Sequence, residues 1–138
     1  MNFIRTKQLN IEIMEDQQQY LSSKEKIKRM LKEPDVIAFN IEDGNQLIGF
    51  AMFKVFDKNS FFLWDYLIDY KYQNKGLGTR ALIELIELLK DKYRCKKVTT
   101  TYKYGNVVAQ RLYEKLGFIE TSVVNENDIN EVNMTLEL

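Results

Sequence analysis

The chain has 138 residues, of which 45% are hydrophobic, 29% charged and 12% aromatic, the composition of one folded domain, 1–138, with a real core rather than of a disordered chain. Twenty basic and twenty acidic residues cancel, so bulk charge gives no reason to expect a nucleic acid partner. The single cysteine, Cys95, excludes an internal disulfide and a Cys-based metal site, and the absence of histidine removes the commonest metal ligand and general base.

The first residues, "MNFIRTKQLN", lack the apolar segment of a signal peptide, and no apolar run approaches membrane-spanning length. A cytoplasmic location and no membrane partner are expected. "QLNIEI" alternates Leu9, Ile11 and Ile13 and reads as the first strand. "EDQQQYLSSKEKIKRMLKE" is helical; Ser22 and Glu25 fit a capping box for its second part, Ile27, Met30 and Leu31 form a one-sided apolar stripe, and Pro34 stops it.

"VIAFNIEDGNQLIGFAMFKVF" is a hairpin, with Asp43-Gly44-Asn45 at its turn. "FFLWDYLID" is a long strand apolar enough to be covered on both faces, and simple alternation puts Trp64, Tyr66 and Ile68 on one face and Asp65, Leu67 and Asp69 on the other. A helix follows from about Thr79 to Lys92, then a β-branched strand, "KKVTTTY", then the helix "NVVAQRLYEKL" closed by Gly117. "FIETSVV" and "EVNMTLEL" close the chain as an antiparallel pair. The order β-α-α-β-β-β-α-β-α-β-β predicts an α/β fold, a central mixed sheet flanked by helices on both faces. An apolar edge such as the final strand is where a second copy would pair to make a homodimer.

Between the long strand and its helix lies "YKYQNKGLGTRAL". Free N–H groups at a helix start, with the helix dipole, make an anion site. Gly76 and Gly78 let the backbone curl and let a phosphate approach without meeting a β-carbon, Thr79 adds a hydroxyl, and Lys75 and Arg80 flank the site. Taken alone, this spacing leaves a plain strand-to-helix turn equally open. No Lys-Ser/Thr pair completes a Walker loop, and Ala81 holds the third glycine position of a dinucleotide fingerprint that neither the strand order nor the chain length suits.

The loop has the form Q-x-x-G-x-G, and "GNVVAQRLYEKLGF" follows as N-x-x-A-x-x-L-Y-x-x-x-G-F. This pair, on this run of elements, resembles the GNAT superfamily of acetyl-CoA-dependent N-acetyltransferases, most strongly over Phe61 to Phe118. The details "LWDYLIDYKYQNKGLG" and "LYEKLGF" look most like the bacterial spermidine/spermine, or diamine, acetyltransferase branch. The resemblance implies that acetyl-CoA is the co-substrate, that no metal is needed, and that acetyl passes directly to a small-molecule primary amine in a ternary complex. It further implies that the backbone of Leu67, Ile68 and Asp69 pairs with the pantetheine arm, with an N–H there, assigned to Ile68, stabilising the oxyanion. The diphosphate would rest on the amides of Gln73, Asn74, Lys75, Gly76, Leu77, Gly78, Thr79 and Arg80. Asn106 would cap its helix and touch the pantetheine, Ala109 would keep the surface low, and Tyr113 would protonate the departing thiolate.

A polycationic amine calls for carboxylates. Asp65 stands where a basic residue is more usual in that branch, and Glu15 and Asp16 open the helix that lines the acceptor cleft in the family. Acids in a first helical turn also suit the helix dipole on their own account. Two other functions fit the same motifs: acetylation of a protein, peptide or aminoglycoside amine, and a non-catalytic CoA-binding module.

Overall fold

In the computed structural model, which describes residues 1–138, the chain runs β1 (Asn2–Arg5), α1 (Glu15–Gln18), α2 (Lys24–Met30), β2 (Val36–Asp43), β3 (Gln46–Asp57), β4 (Ser60–Ile68), a 3-10 turn (Tyr70–Tyr72), α3 (Leu77–Tyr93), β5 (Lys97–Lys103), α4 (Val107–Leu116), β6 (Ile119–Glu126) and β7 (Ile129–Glu137). The strands form one sheet in the order β1-β2-β3-β4-β5-β7-β6, in which only β4 and β5 run parallel. On one face Leu82, Leu85 and Leu89 of α3 pack with Tyr113 of α4 against Phe39, Phe53, Phe61, Leu63 and Val98. On the other, Ile27 and Met30 of α2 pack with Ile11 and Ile13 against Ala38, Phe50, Met52 and Leu67. The α/β mixed sheet with helices on both faces is thus the architecture found. No helix is long and apolar enough to cross a membrane.

Several local expectations are corrected. The first strand is Asn2–Arg5, paired with β2, and not residues 8–13. Ile11 and Ile13 are buried at 5% and 7% exposure, so their alternation reports burial under α2, but the edge of β2 is already occupied by β1. The long helical segment is broken into α1 and α2. The second is capped by Ser23, whose hydroxyl accepts from Lys26 N–H at 3.2 Å, and not by Ser22. Ser22 is held elsewhere, by its own N–H on Asp65. The final strand β7 lies between β5 and β6, so the exposed edge on that side is β6.

The most consequential departure is in β4. Met52 pairs with Asp65 and Phe53 with Leu63, which leaves Trp64 as an extra residue in a β-bulge. Before the bulge, Phe61 and Leu63 face α3; after it, Tyr66 and Ile68 do, while Trp64, Asp65 and Leu67 face α1 and α2. Simple alternation had placed Trp64 with Tyr66 and Ile68, and the bulge undoes that.

The end of β4 is clamped against β3 at Gly49. A β-carbon there would lie 3.0 Å from the Leu67 carbonyl oxygen, 3.0 Å from Ile68 Cδ1 and 3.2 Å from Ile41 Cδ1. The backbone oxygen cannot swing aside as a side chain could. Gly49→Ala is expected to destabilise the protein by about 1–3 kcal/mol through overpacking, read from the midpoint of urea unfolding at unchanged slope.

Candidate active site

Parallel pairing between β4 and β5 lasts only from Ser60–Lys97 to Leu63–Thr100, although both strands continue. Where the ladder ends, the Thr100 hydroxyl donates to the Leu63 carbonyl at 3.0 Å. Beyond that point the strands part and leave an open seam. On its β4 side the backbone alternates. Asp69 N–H donates to Ile48 O at 2.8 Å across the β3 ladder, so its neighbours in the antiparallel pattern, Ile68 and Tyr66, turn their backbone groups away from β3 and into the seam. The Ile68 carbonyl there has no strand to pair with, and accepts from the side-chain amides of Gln73 at 2.9 Å and Gln17 at 3.1 Å. Among the residues assigned to the pantetheine, Ile68 therefore faces the seam. Leu67 and Asp69 spend their amides on β3, and Tyr66, not singled out for the site from sequence, turns its backbone into the seam beside Ile68.

At the mouth of the seam, Gln73 N–H bonds to Tyr70 O and Arg80 N–H to Gly76 O, and the N–H groups of Asn74, Lys75, Gly76, Leu77, Gly78 and Thr79 between them make no hydrogen bond within the chain. Asn74 and Gly76 adopt left-handed backbone angles, φ 62° and 75°, which bend the run round on itself. Such a run of amides ahead of a helix dipole fits a diphosphate. The two glycines differ. A β-carbon on Gly76 would meet nothing within 4 Å, so that side is open to an approaching group, whereas one on Gly78 would point inward at Ile68 Cγ1, 3.4 Å away. Gly78 serves the close packing of α3 on β4 rather than phosphate access. The Arg80 side chain pairs with Glu84 at 3.0 Å, and the Lys75 ammonium lies over the Tyr72 ring.

Tyr113 projects from α4 to the apex of the seam. Its helix starts where predicted: Asn106 caps it, accepting from Ala109 N–H at 3.2 Å. The Tyr113 ring packs on Phe118, centroids 5.3 Å apart, and the residue is 7% exposed. Burial pushes the phenol's pKa up; the Thr100 hydroxyl beside it lowers it in part, and the Asp65 charge raises it further. The phenol thus stays protonated at neutral pH and lies near both Thr100 and Asp65.

Asp65 is 3% exposed. Its Oδ1 accepts the Ser22 N–H at 2.9 Å, and its Oδ2 is buried without a partner. Burial raises its pKa above the ordinary value of 3.8, opposed by Ser22, Lys26 and Lys103. Lys103 of β5 reaches across to donate to Gln19 O at 3.0 Å, so α1 is tied to the seam at Ile68 and the α1–α2 loop at Asp65 and Lys103. Glu15 and Asp16 are exposed at the start of α1 and make no side-chain hydrogen bond or ion pair. The α1 residue that reaches the seam is Gln17. Thr100, Lys103 and Gln17 were not singled out from sequence; they carry no motif, and only the parting of two strands gives them a role.

A family model described as the acetyltransferase (GNAT) family matches residues 4–118. A spermine/spermidine N(1)-acetyltransferase of Bacillus subtilis is 38% identical over 79 residues, 52% of this chain and 52% of that protein, so the chain spans about half the length of the curated relatives it matches. Among solved structures, a GNAT family acetyltransferase from Elizabethkingia anophelis with acetyl-CoA bound superposes with a TM-score of 0.71 at 24% identity, covering 84% of each chain. A variant of the spermidine N-acetyltransferase SpeG from Vibrio cholerae gives 0.70 at 19% identity over 83% of this chain and 72% of that one.

The buried Asp65 carboxylate couples folding to pH. The folded state holds the Asp65 proton to higher pH than the unfolded chain does, so between the two pKa values the folded state binds more protons and stability falls as pH rises. Urea titrations from about pH 4 to pH 7 are expected to show that fall, and Asp65→Asn to flatten it. An unchanged pH slope in the variant rejects the assignment.

Proposed function

The chain belongs to the GNAT family of acetyltransferases, and from that premise we propose that it transfers the acetyl group of acetyl-CoA to a primary amine of the polyamine class, such as spermidine or spermine. The observation that carries this is the seam itself. A run of free amides from Asn74 to Thr79 lies at one end, and a protonated phenol and a half-partnered buried carboxylate lie at the other. The relatives named for spermine and spermidine support the choice of acceptor.

Acetyl-CoA supplies an activated thioester. The amides from Asn74 to Thr79 hold its diphosphate, and the Tyr66 backbone pairs with its pantetheine arm as another strand would, the Ile68 carbonyl being already taken by Gln73 and Gln17. The Ile68 N–H is placed to stabilise negative charge on the acetyl oxygen as the amine attacks. The carbon–sulfur bond then breaks, and Tyr113 gives its proton to the departing thiolate. Asp65 Oδ2 accepts a hydrogen bond from the ammonium form of the acceptor and, with its raised pKa, is the nearest carboxylate to take the proton the amine must lose. Tyr113 regains its proton from solvent. The ion pair with the amine supplies the partner that Asp65 Oδ2 lacks within the chain, and there the charge is worth most because it is desolvated. We also place pairing with a second copy at β6, the exposed sheet edge that carries Ile119 and Val123.

A panel of polyamines, aminoglycosides and peptide amines, scored by CoA release, tests the reading. Spermidine or spermine is expected to lead. Tyr113→Phe should lower kcat by about 100-fold, at the low end of general-acid effects, with the KM for acetyl-CoA changed little. Asp65→Ala should raise the spermidine KM more than Glu15→Ala or Asp16→Ala. Turnover of a peptide amine alone would move the acceptor to protein. CoA binding without turnover of any amine would leave a non-catalytic module.

A further inference from the structure

The Tyr66 side chain has no part in the chemistry above, yet it touches the anion cradle from behind. Its hydroxyl, carried by β4 on the face turned towards α3, donates to the Gly78 carbonyl at 2.6 Å. Gly78 packs directly on the neighbouring β4 residue, Ile68, so strand and helix are held close at this point. Burial pushes the Tyr66 pKa up, and the hydroxyl remains a donor throughout the working pH range.

The Gly78 carbonyl and the Thr79 N–H belong to one planar peptide unit. A donor on the oxygen pulls electron density from the nitrogen and makes its N–H a stronger donor in turn, since hydrogen bonds in a chain polarise one another. Thr79 N–H is among the amides that make no bond within the chain. We propose that Tyr66 is a positioning residue for co-substrate binding: through the Gly78–Thr79 peptide, its hydroxyl orients and polarises an amide that grips the diphosphate. The same strand then serves the cofactor twice, by the Tyr66 backbone in the seam and by the Tyr66 phenol under the helix.

This inference rests on the acetyl-CoA reading but not on which amine is the acceptor, and binding measurements separate the two. Dissociation constants for CoA, for ADP as a probe of the diphosphate and for pantetheine as a probe lacking it are measured by NMR titration on wild type and Tyr66→Phe. Loss of one net hydrogen bond predicts CoA and ADP binding weakened by about threefold to tenfold in the variant, with pantetheine binding unchanged. Failure of the wild type to bind CoA would reject the acetyl-CoA reading itself. Wild-type CoA binding with no loss in the variant, or an equal loss for pantetheine, overturns only the role of Tyr66. Since Tyr66→Phe removes a hydrogen bond under a helix and can loosen the fold, a second probe keeps the native shape. Fluorination of the Tyr66 ring makes the phenol a stronger donor and is expected to tighten CoA and ADP binding but not pantetheine binding; no change, or weaker binding, counts against the proposal.

Discussion

The extra residue in β4 is the constraint on which the site depends. Phe61 and Leu63 point towards α3. With unbroken alternation, residue 65 would point there too and would press a carboxylate against Leu82 and Leu85. Tyr66 would turn to the opposite face, out of reach of Gly78. The bulge at Trp64 exchanges both placements in one step. It brings Asp65 to the α1–α2 side, where Ser22 can donate to it, and Tyr66 to the α3 side. Bulges also sharpen local twist, which is a reason for β4 to peel from β5 directly after Leu63, the last paired residue before it.

A parted pair of parallel strands exposes backbone groups that a sheet would normally satisfy, and such groups are costly when left buried and unpaired. The chain deals with this group by group. The Leu63 carbonyl takes the Thr100 hydroxyl, and the Ile68 carbonyl takes two side-chain amides. The amides from Asn74 to Thr79 lie at the loop, where residues are half-exposed or exposed and water can serve them until an anion arrives. Gaining a charged acceptor there replaces weak solvation with hydrogen bonds of the stronger, charge-assisted kind. The Leu63 and Ile68 carbonyls of the seam are therefore bonded by side chains on its walls, and a continuous run of free donors lies at the loop end.

How much of this was legible in the sequence varies with what each signal measures. The hairpin at Gly44, the long helix after the glycine loop and the Asn106-capped helix with Gly117 behind it follow from local chemistry, and all are present. The alternation at residues 8–13 was a true record of burial, but a strand also needs a free edge to pair with, and β2 offers its edge to residues 2–5. Ser22 and Ser23 both suit a helix cap; Ser23 takes that place, and the Ser22 N–H is bonded to Asp65, more than forty positions away. The parity of β4 failed for a related reason. Nothing in "FFLWDYLID" marks Trp64 as the residue without a partner, because a bulge is a property of the pairing and not of one strand. The anion loop was read over a slightly wider range than the amides that are free, and the ladder with β3 takes the amides of Leu67 and Asp69, which leaves Ile68 of that trio facing the seam.

The two halves of the site therefore differ in kind. The side proposed for the cofactor combines a strand, a helix start and a helix cap; the glycine loop and the Asn106 cap have short sequence signatures, whereas the bulged strand that turns Tyr66 into the seam has none. The acceptor half is made where an irregular segment crosses the seam, and each of its fastenings joins distant positions: Gln17 to Ile68, Ser22 to Asp65, Gln19 to Lys103. Two of these use backbone groups of the α1–α2 loop, to which side-chain identity contributes little. Such a loop can be reshaped by changing its length or its exposed residues without disturbing β4, α3 or α4, which form the side proposed for the cofactor. The side chain it cannot leave unmatched is Asp65, whose buried Oδ2 finds no hydrogen-bond partner among the loop's atoms. A cation that enters this cleft meets one carboxylate already fixed in place, and the remaining selectivity then falls to whatever the loop sets around it.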